Sequence, residues 1–211
     1  MRNITFRVSD KSKEDFFKQM QLETKLHTYL GTRHTNLHPD DWEDFYDTVY
    51  RFGLSDNEFV AFAECENITI GYVEVQTDYI DIKGKSYGII ANIYVEPQFR
   101  SSGVALTLFR MGVDILLEHN VTRAVMNVGC DNPFRFLHYA VCDEVIRTTK
   151  QLNPDGTIKY NKLLAINDLR KIQNMSLIEL CRKKWVHQKN YEVHGMEMGE
   201  VAVGSDGETV G

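Results

Sequence analysis

The spacing of apolar residues divides the N-terminal part of the chain into one strand and two helices. Residues 3–8 alternate between apolar and polar positions and predict a first strand. Ser12 predicts a helix start, because apolar residues then recur at helical spacing as far as Leu30. Pro39 at a first helical position and Gly53 at a stopping position predict the limits of a second helix.

The period of the pattern shortens from that of a helix to that of a strand after residue 57. Three runs of β-branched and aromatic residues, 58–65, 69–80 and 87–95, are separated by short turns and predict an antiparallel meander. Residues 104–119 then return to helical spacing. The apolar residues of that helix cover most of its circumference, so we expect it to pack on the sheet.

A second half of the sheet is predicted by shorter segments. Residues 123–128 and 144–151 predict strands, and residues 132–141 predict a short helix between them. The turn Asn-Pro-Asp-Gly at residues 153–156 returns the chain as a further strand over 157–166. We therefore expect an α/β (α+β) domain, with a mixed, mostly antiparallel twisted sheet of about seven strands and about four flanking helices.

The pattern changes beyond this domain. Ser176 and Glu179 match a capping box and predict a separate C-terminal helix. Four basic residues are expected on the outer side of this helix: Arg182, Lys183, Lys184 and Lys189. The end of the chain is rich in acids and glycine and holds no Lys or Arg, which predicts disorder. The chain is thus expected to divide into a domain over 1–166, a helical extension over 167–189 and an acidic tail over 190–211.

The bulk composition is that of a soluble globular protein. The 211 residues are 43% hydrophobic and 26% charged. No apolar run is long enough to span a membrane, and the first residues lack the apolar core of a signal peptide. The formal net charge of −6 disfavours nucleic acid as a partner, because such binders normally carry a basic face. A homodimer and a cationic substrate remain open.

Cysteine and histidine usage predicts neither a disulfide framework nor a metal site. The four cysteines are scattered without a Cys-x-x-Cys pair, which favours reduced thiols and a cytoplasmic protein. They are Cys65, Cys130, Cys142 and Cys181. His27, His34 and His38 cross a predicted helix–loop boundary and have no accompanying cysteine pair.

A short segment at the end of the meander carries the strongest chemical signal. The strand ends before Pro97, and the turn from Arg100 to Ala105 opens the apolar helix. Backbone N–H groups in a first helical turn have no intrahelical acceptor and lie at the positive end of the helix dipole. They suit an anion, above all a pyrophosphate. The Arg-x-x-Gly-x-Ala pattern also arises by chance, so a surface turn before a core helix is the alternative.

A second constellation follows one strand later. Asn132 begins a predicted helix and Tyr139 lies two helical turns on, so the two share one face. Asn132 would serve equally as an N-cap, and Tyr139 as a half-buried core residue. Cys130 precedes them with no histidine placed beside it by the sequence, so a covalent cysteine mechanism is a minor alternative.

The two constellations, in this order of elements, resemble the GNAT superfamily of N-acetyltransferases over residues 3–166. The resemblance implies a GNAT-like fold that binds acetyl-CoA as a co-substrate. It implies that the turn binds the pyrophosphate through backbone amides, and that the strand before it is splayed from its neighbour around the pantetheine arm. Ala105, where glycine is commoner, and Pro133 depart from the family pattern. The implied cofactor-binding residues are Ile93, Tyr94, Val95, Arg100, Ser101, Ser102, Gly103, Val104, Ala105, Asn132 and Phe136.

Acetyl transfer to an amine needs a base for the amine, a polarised carbonyl and a proton for the departing thiolate. The resemblance puts Tyr139 beside the thioester sulfur, as the candidate general acid. Backbone N–H groups near Tyr94 and Val95 would polarise the carbonyl. Relatives often carry a glutamate on the third strand of the meander, which has no acid here, so Glu74 on the preceding strand is the candidate base. One alternative is that Glu74 is a solvated carboxylate on the outer face of the sheet. Another is that a water chain through Asn92 or Tyr94 removes the proton from the amine.

The second predicted helix is, by the resemblance, the candidate acceptor wall. It would suit a cationic amine of a small molecule or a protein, whereas a solvated helix face with its apolar side in the core is the alternative. Its acids and aromatics are Asp40, Asp41, Trp42, Glu43, Asp44, Phe45, Tyr46 and Asp47. The alternative function is an acyl-CoA-binding module with a non-catalytic role, acting on a partner through its basic C-terminal helix.

Overall fold

The computed structural model describes residues 3–30, 39–50, 56–80, 84–129, 132, 135–152 and 158–193. Its strands are β1 (Ile4–Val8), β2 (Glu58–Cys65), β3 (Ile68–Ile80), β4 (Ser86–Val95), β5 (Ala124–Gly129), β6 (Glu144–Leu152) and β7 (Ile158–Ile166). They form one seven-stranded sheet in the order β1-β2-β3-β4-β5-β7-β6. Every strand lies close to the limits that the alternating pattern predicts, and the meander of β2, β3 and β4 is antiparallel as expected.

The sheet is flanked by helices on both faces. The described α-helices are α1 (Lys13–Leu30), α2 (Trp42–Phe45), α3 (Val104–Glu118), α4 (Arg135–Val141), α5 (Arg170–Gln173) and α6 (Leu177–Val193). Short 3₁₀ turns occupy Pro39–Asp41 and Pro97–Phe99, and a π-helical turn occupies Tyr46–Tyr50. None of the helices in the described part of the chain is long and apolar enough to cross a membrane.

The second predicted helix is not continuous. Where the sequence predicts one helix over residues 39–53, the structure has a 3₁₀ turn, the four residues of α2 and a π-helical turn. Its predicted end at residue 53 lies outside the described residues. Asp41 makes no side-chain cap at the start of α2. Because so short a segment gains little from helix propensity, its shape follows the packing of Phe45 and Tyr46 on Phe16 of α1.

A cleft opens in the middle of the sheet. β4 and β5 are parallel and pair only at Gly88↔Ala124 and Ile89↔Val125, whereas the other neighbouring strands are antiparallel. β4 also contains an extra residue, Ala91, that has no register partner in β3. Such a bulge bends a strand away from its neighbour. Beyond Ile89 the two strands therefore part, which is the splayed arrangement that the resemblance implies.

The main core lies between the sheet and α3. Leu108, Phe109 and Val113 of this helix are fully buried. Gly112 allows a close approach to β3, because a Cβ at this position would lie 3.0 Å from Val75 Cγ1. α4, α5 and α6 lie against the same core, and α1 covers the opposite face over β2, β3 and β4.

The C-terminal helix begins with the capping box that the sequence predicts. Ser176 N donates to Glu179 Oε2 over 2.6 Å, and Glu179 N donates to Ser176 Oγ over 3.2 Å. Leu180 is fully buried in the main core. α6 continues to Val193, and most of the predicted acidic tail lies outside the described residues.

Candidate active site

The loop between β4 and α3 has an unusual backbone. Ser101 and Gly103 both have positive φ, 71° and 85° respectively. Gly103 occupies the N-cap position of α3 and makes no side-chain cap. The first-turn amides of α3 therefore have no capping side chain, which leaves the helix N-terminus suited to an anion.

A cavity of about 250 Å³ lies in front of this loop. We call it the cleft cavity, and it runs between the C-terminal end of α1, the end of β4 and α6. Seven of the residues expected to bind the cofactor line it: Ile93, Tyr94, Val95, Arg100, Ser101, Ala105 and Asn132. Four further lining residues were not expected: Leu26, Tyr29, Leu30 and Lys184.

The other expected cofactor residues lie beside the cleft cavity. Ser102 Oγ donates to the Phe99 carbonyl over 2.5 Å, which closes the turn before Gly103. Val104 and Phe136 are buried in the protein. Their roles as direct cofactor contacts stay predictions.

Arg100 is held in place at the mouth of the cleft cavity. Its Nε donates to the Val95 carbonyl over 3.0 Å. The guanidinium carbon lies 4.6 Å from the Tyr29 ring centroid and 5.8 Å from that of Tyr94. Cation–π contacts of this kind orient a guanidinium without neutralising it. The loop thus presents a fixed positive charge near the start of α3.

Asn132 and Tyr139 lie near α4, but the helix starts later than predicted. It begins at Arg135, whose N and Nη1 both donate to the Asn132 carbonyl, over 2.9 and 3.2 Å. Tyr139 is half-buried against the main core with its hydroxyl oxygen buried. Lys162 Nζ of β7 lies 5.3 Å from the Tyr139 ring centroid.

Glu74 is a half-buried carboxyl on the sheet face that α1 covers. Burial and the charge of Glu23 raise its pKa to about 7, although a hydrogen bond from Asn92 Nδ2, over 2.9 Å, works in the opposite direction. A hydrogen bond with the Glu23 carboxyl adds to the increase. Glu74 is therefore not the solvated outer-face carboxylate that the sequence left as an alternative.

A second concavity of about 180 Å³ lies on the same face. We call it the sheet hollow, and its lining residues are Tyr79, Ile89, Val125, Asn127, Arg147, Thr149 and Leu163. Gln76 is the register partner of Ile89, which in turn pairs with Val125 at the point where β4 and β5 part. Glu74 lies two residues from Gln76 along β3, a distance of about 7 Å. Glu74 lies on the same face of the sheet but is not among the residues that line the hollow.

The predicted acceptor wall around α2 lies at the other end of α1. Trp42 is buried with Phe16 and Met20. Lys13 Nζ pairs with Glu43 Oε1 at 2.6 Å and with Asp47 Oδ2 at 3.2 Å. Phe16 and the Tyr29 of the cleft cavity are separated by roughly 20 Å of helix. The aromatic side of α2 therefore serves packing, as the alternative interpretation holds.

The described residues offer little to a metal ion. Among them no group of three or more His, Cys, Asp or Glu side chains could hold one. His27 lies on α1, whereas His34, His38 and Cys130 fall outside the described residues. Cys65 is buried, Cys142 is half-buried and Cys181 is exposed, all as free thiols.

Comparisons with known proteins agree with this geometry. Residues 18–135 match the model of the "Acetyltransferase (GNAT) family". No curated protein sequence matches the chain.

Several solved structures share the fold. An N-acetyltransferase from Staphylococcus aureus Mu50 aligns with a TM-score of 0.59 and 16% identity, covering 79% of this chain and 99% of its own. The yncA acetyltransferase of Salmonella typhimurium, solved with acetyl-CoA, aligns with a TM-score of 0.57 and 18% identity, covering 79% and 94%. A ribosomal-protein-alanine N-acetyltransferase from Brucella melitensis aligns with a TM-score of 0.56 and 17% identity, covering 76% of this chain and 98% of its own. At these identities the likeness establishes the fold alone.

Proposed function

This chain belongs to the acetyltransferase (GNAT) family, and we propose that it transfers an acetyl group from acetyl-CoA to a primary amine by direct attack on the thioester. The observation that carries the proposal is Glu74, a half-buried carboxyl of pKa about 7 beside the parting of β4 and β5. The acceptor is an amine of a small molecule or a protein.

The lining of the cleft cavity suits parts of acetyl-CoA, the co-substrate of this family. Apolar side chains such as Leu26 and Ile93 suit the pantetheine arm, and Arg100 lies beside the uncapped N-terminus of α3, where a pyrophosphate is favoured. The part of β4 beyond Ile89 does not pair with β5, so its backbone groups on that side are available to a ligand. When bound, acetyl-CoA supplies the activated acyl group.

Glu74 is suited to deprotonate the acceptor. A lysine-like amine has a pKa of about 10.4 and is mostly charged at neutral pH, so it must lose a proton before it becomes a nucleophile. A carboxyl whose pKa is about 7 is partly ionised at that pH and accepts the proton more readily than an ordinary glutamate. Asn92 and Glu23 hold the carboxyl in place.

Tyr139 is the proposed proton donor. A phenol of ordinary pKa near 10 can protonate a departing thiolate, which has a pKa near 8.5 by analogy with cysteine. α4 places the hydroxyl oxygen of Tyr139 out of solvent, and the ammonium of Lys162 lies over its ring. The low polarity around a buried hydroxyl strengthens its interaction with an anion.

The acceptor is proposed to be cationic, because acidic groups gather around Glu74. Burial raises the pKa of Glu58, and the charges of Asp78 and Glu23 raise it further against the opposing charge of Lys11. Tyr72 Oη is buried near Glu23 and Glu74 and has no hydrogen-bond partner among the described residues. A cation bound here would relieve the repulsion between these carboxylates.

A panel of amines tests both parts of the proposal, with release of the CoA thiol as the readout. A diamine, a lysine-containing peptide and a monoamine of similar size are compared at two salt concentrations. We expect the dication to have the highest kcat/KM, by roughly tenfold, and to lose that advantage at high salt. The variant Glu58→Gln should reduce the preference, whereas Glu118→Gln on the exposed side of α3 should not.

The outcomes separate the competing functions. Equal kcat/KM for the monoamine and the dication would refute the proposed preference for a cationic acceptor. The proposal of acetyl transfer would still stand. Absence of turnover with every amine, together with normal acetyl-CoA binding, would favour the non-catalytic acyl-CoA-binding module.

A further inference from the structure

One basic residue of the C-terminal helix faces the cleft cavity. Arg182 and Lys183 of α6 are exposed, whereas Lys184 is half-buried and lines the cavity with Arg100 and Ser101. The sequence predicts all three on the outer side of the helix. Lys184 lies on the face of Leu180, one turn away, and that face packs against the core.

The docking of α6 is fixed by contacts with α3. Arg110 of α3 donates from Nη1 to the Ile172 carbonyl over 2.8 Å and also to the carbonyl of Met175, and its Nη2 donates to that of Gln173. These carbonyls lie at the end of α5 and just before α6. Together with the buried Leu180, they hold the helix that carries Lys184 against the helix whose N-terminus borders the cleft cavity.

The charge on Lys184 affects His138 of the neighbouring helix α4. Burial, with a further contribution from the Lys184 ammonium, lowers the pKa of His138 to about 4. The His138 ring is therefore neutral at physiological pH and does not add a second charge beneath the lysine.

The cleft cavity is cationic although the protein is acidic. The formal net charge of the chain is −6, yet the charged residues among the described cavity lining are Arg100 and Lys184. They approach the cavity from different elements, the β4–α3 loop and α6. Two cations that line one cavity beside an uncapped helix N-terminus favour a pyrophosphate over an amine or a neutral ligand.

We propose that Lys184 binds the pyrophosphate of acetyl-CoA, so that the C-terminal helix completes the cofactor site opposite to α1. Lys184 lines the same cavity as Ser101 and Arg100 of the loop before α3, which favours the pyrophosphate over a phosphate farther along the cofactor. The proposal rests on cofactor binding and does not depend on which amine is acetylated.

Isothermal titration of CoA and dephospho-CoA into the full chain tests the assignment without measuring turnover. Dephospho-CoA keeps the pyrophosphate and lacks the 3′-phosphate. Lys184→Gln should weaken both ligands by roughly tenfold, because a charge-assisted contact to the shared pyrophosphate is lost. Lys183→Gln, the same change at the exposed neighbour, should leave both affinities unchanged, and Lys184→Arg should restore them.

Three results would overturn the proposal. Unchanged affinity for both ligands in Lys184→Gln would mean that the lysine does not contact the cofactor. A loss for CoA alone would move Lys184 to the 3′-phosphate. The melting temperature without ligand separates binding from folding, because a lower value in Lys184→Gln that Lys184→Arg does not restore would show a structural role instead. A protein that binds CoA as expected but fails to acetylate any amine would leave this inference standing and refute only the proposed catalysis.

Discussion

Asn92 donates from its side-chain amide to Glu74 Oε2 over 2.9 Å, between register partners on β4 and β3. The pair lies next to the unpaired Ala91, where β4 turns away from β5. Burial and Glu23 raise the pKa of Glu74, and Asn92 lowers it. Opposing effects of named residues thus set the protonation of the proposed base near neutral pH.

The pH dependence of catalysis should therefore move in opposite directions in two variants. Asn92→Ala removes a hydrogen bond that stabilises the carboxylate, so the pKa of Glu74 should rise and the acidic limb of kcat/KM should move to higher pH. Glu23→Gln removes a negative charge, so the same limb should move to lower pH. Each shift is expected to be roughly one pH unit. Profiles of kcat/KM from pH 5 to 9 give the answer, and shifts in the same direction would rule out Glu74 as the titrating group.

Removing the carboxylate should cost most of the activity. Glu74→Gln keeps the shape and the hydrogen-bonding capacity of the side chain but cannot accept the proton from an ammonium. We expect kcat/KM at neutral pH to fall by about 100-fold, in the range of general base catalysis. The affinity for acetyl-CoA should stay unchanged. Glu118→Gln serves as the matched control, and activity close to wild type in Glu74→Gln would favour a water chain through Asn92 or Tyr94.

The proposed role of Tyr139 predicts a loss of turnover without a loss of binding. Tyr139→Phe removes the hydroxyl and preserves the ring under Lys162, so the fold and the acetyl-CoA affinity should be retained. We expect kcat to fall by about 10- to 100-fold, because the thiolate departs without its proton donor. Tyr160→Phe is a suitable control, since Tyr160 also lies under a lysine, Lys150, with 5.8 Å between Nζ and the ring centroid. Unchanged kcat in Tyr139→Phe would rule out Tyr139 as the general acid.

The elements that the sequence predicts well are those coded by neighbouring residues. Strand limits follow from alternation, and the capping box at Ser176 and Glu179 is a local pattern that forms as expected. The predicted cofactor loop is also a local pattern, because Gly103 and the residues around it are contiguous. The proposed acceptor side depends instead on residues that are distant from one another in the sequence.

The features that escape prediction depend on distant parts of the chain. Glu23 lies on α1 and Glu74 on β3, and only tertiary packing brings the two carboxyls together to raise a pKa. Helical spacing from Leu180 separates Lys184 from the exposed Lys183, but only the docking of α6 brings that face to the cleft cavity. The packing of α2 on Phe16 decides the shape of that segment in the same way.

A partly buried ion pair outside the site should control acid stability. Arg7 of β1 donates from Nη1 to Asp15 Oδ2 over 2.7 Å and from Nη2 to Asp15 Oδ1 over 2.6 Å. Nη2 also contacts Glu64 Oε1 of β2 at 3.0 Å. Burial raises the pKa of Asp15, but the hydrogen bonds from Arg7, from Ser9 Oγ and from the Asp10 amide outweigh it and bring the pKa to about 2. The group therefore ties the first strand to the first helix.

Because the folded-state pKa of Asp15 lies below its unfolded value of about 3.9, its contribution to stability is complete above that value. It should be lost as the pH falls toward 2. Arg7→Met leaves a buried carboxylate without its cation, so we expect the free energy of unfolding at pH 7 to fall by about 2 kcal/mol. Urea titrations should show this difference shrinking below pH 4, as Asp15 becomes protonated.

Arg170→Gln, at the exposed pair with Asp168, is the control and should leave the midpoint of urea unfolding near that of the wild type. A difference between Arg7→Met and wild type that stays constant from pH 7 to pH 3 would show that packing of the Arg7 side chain on Phe62, rather than its charge, stabilises the fold.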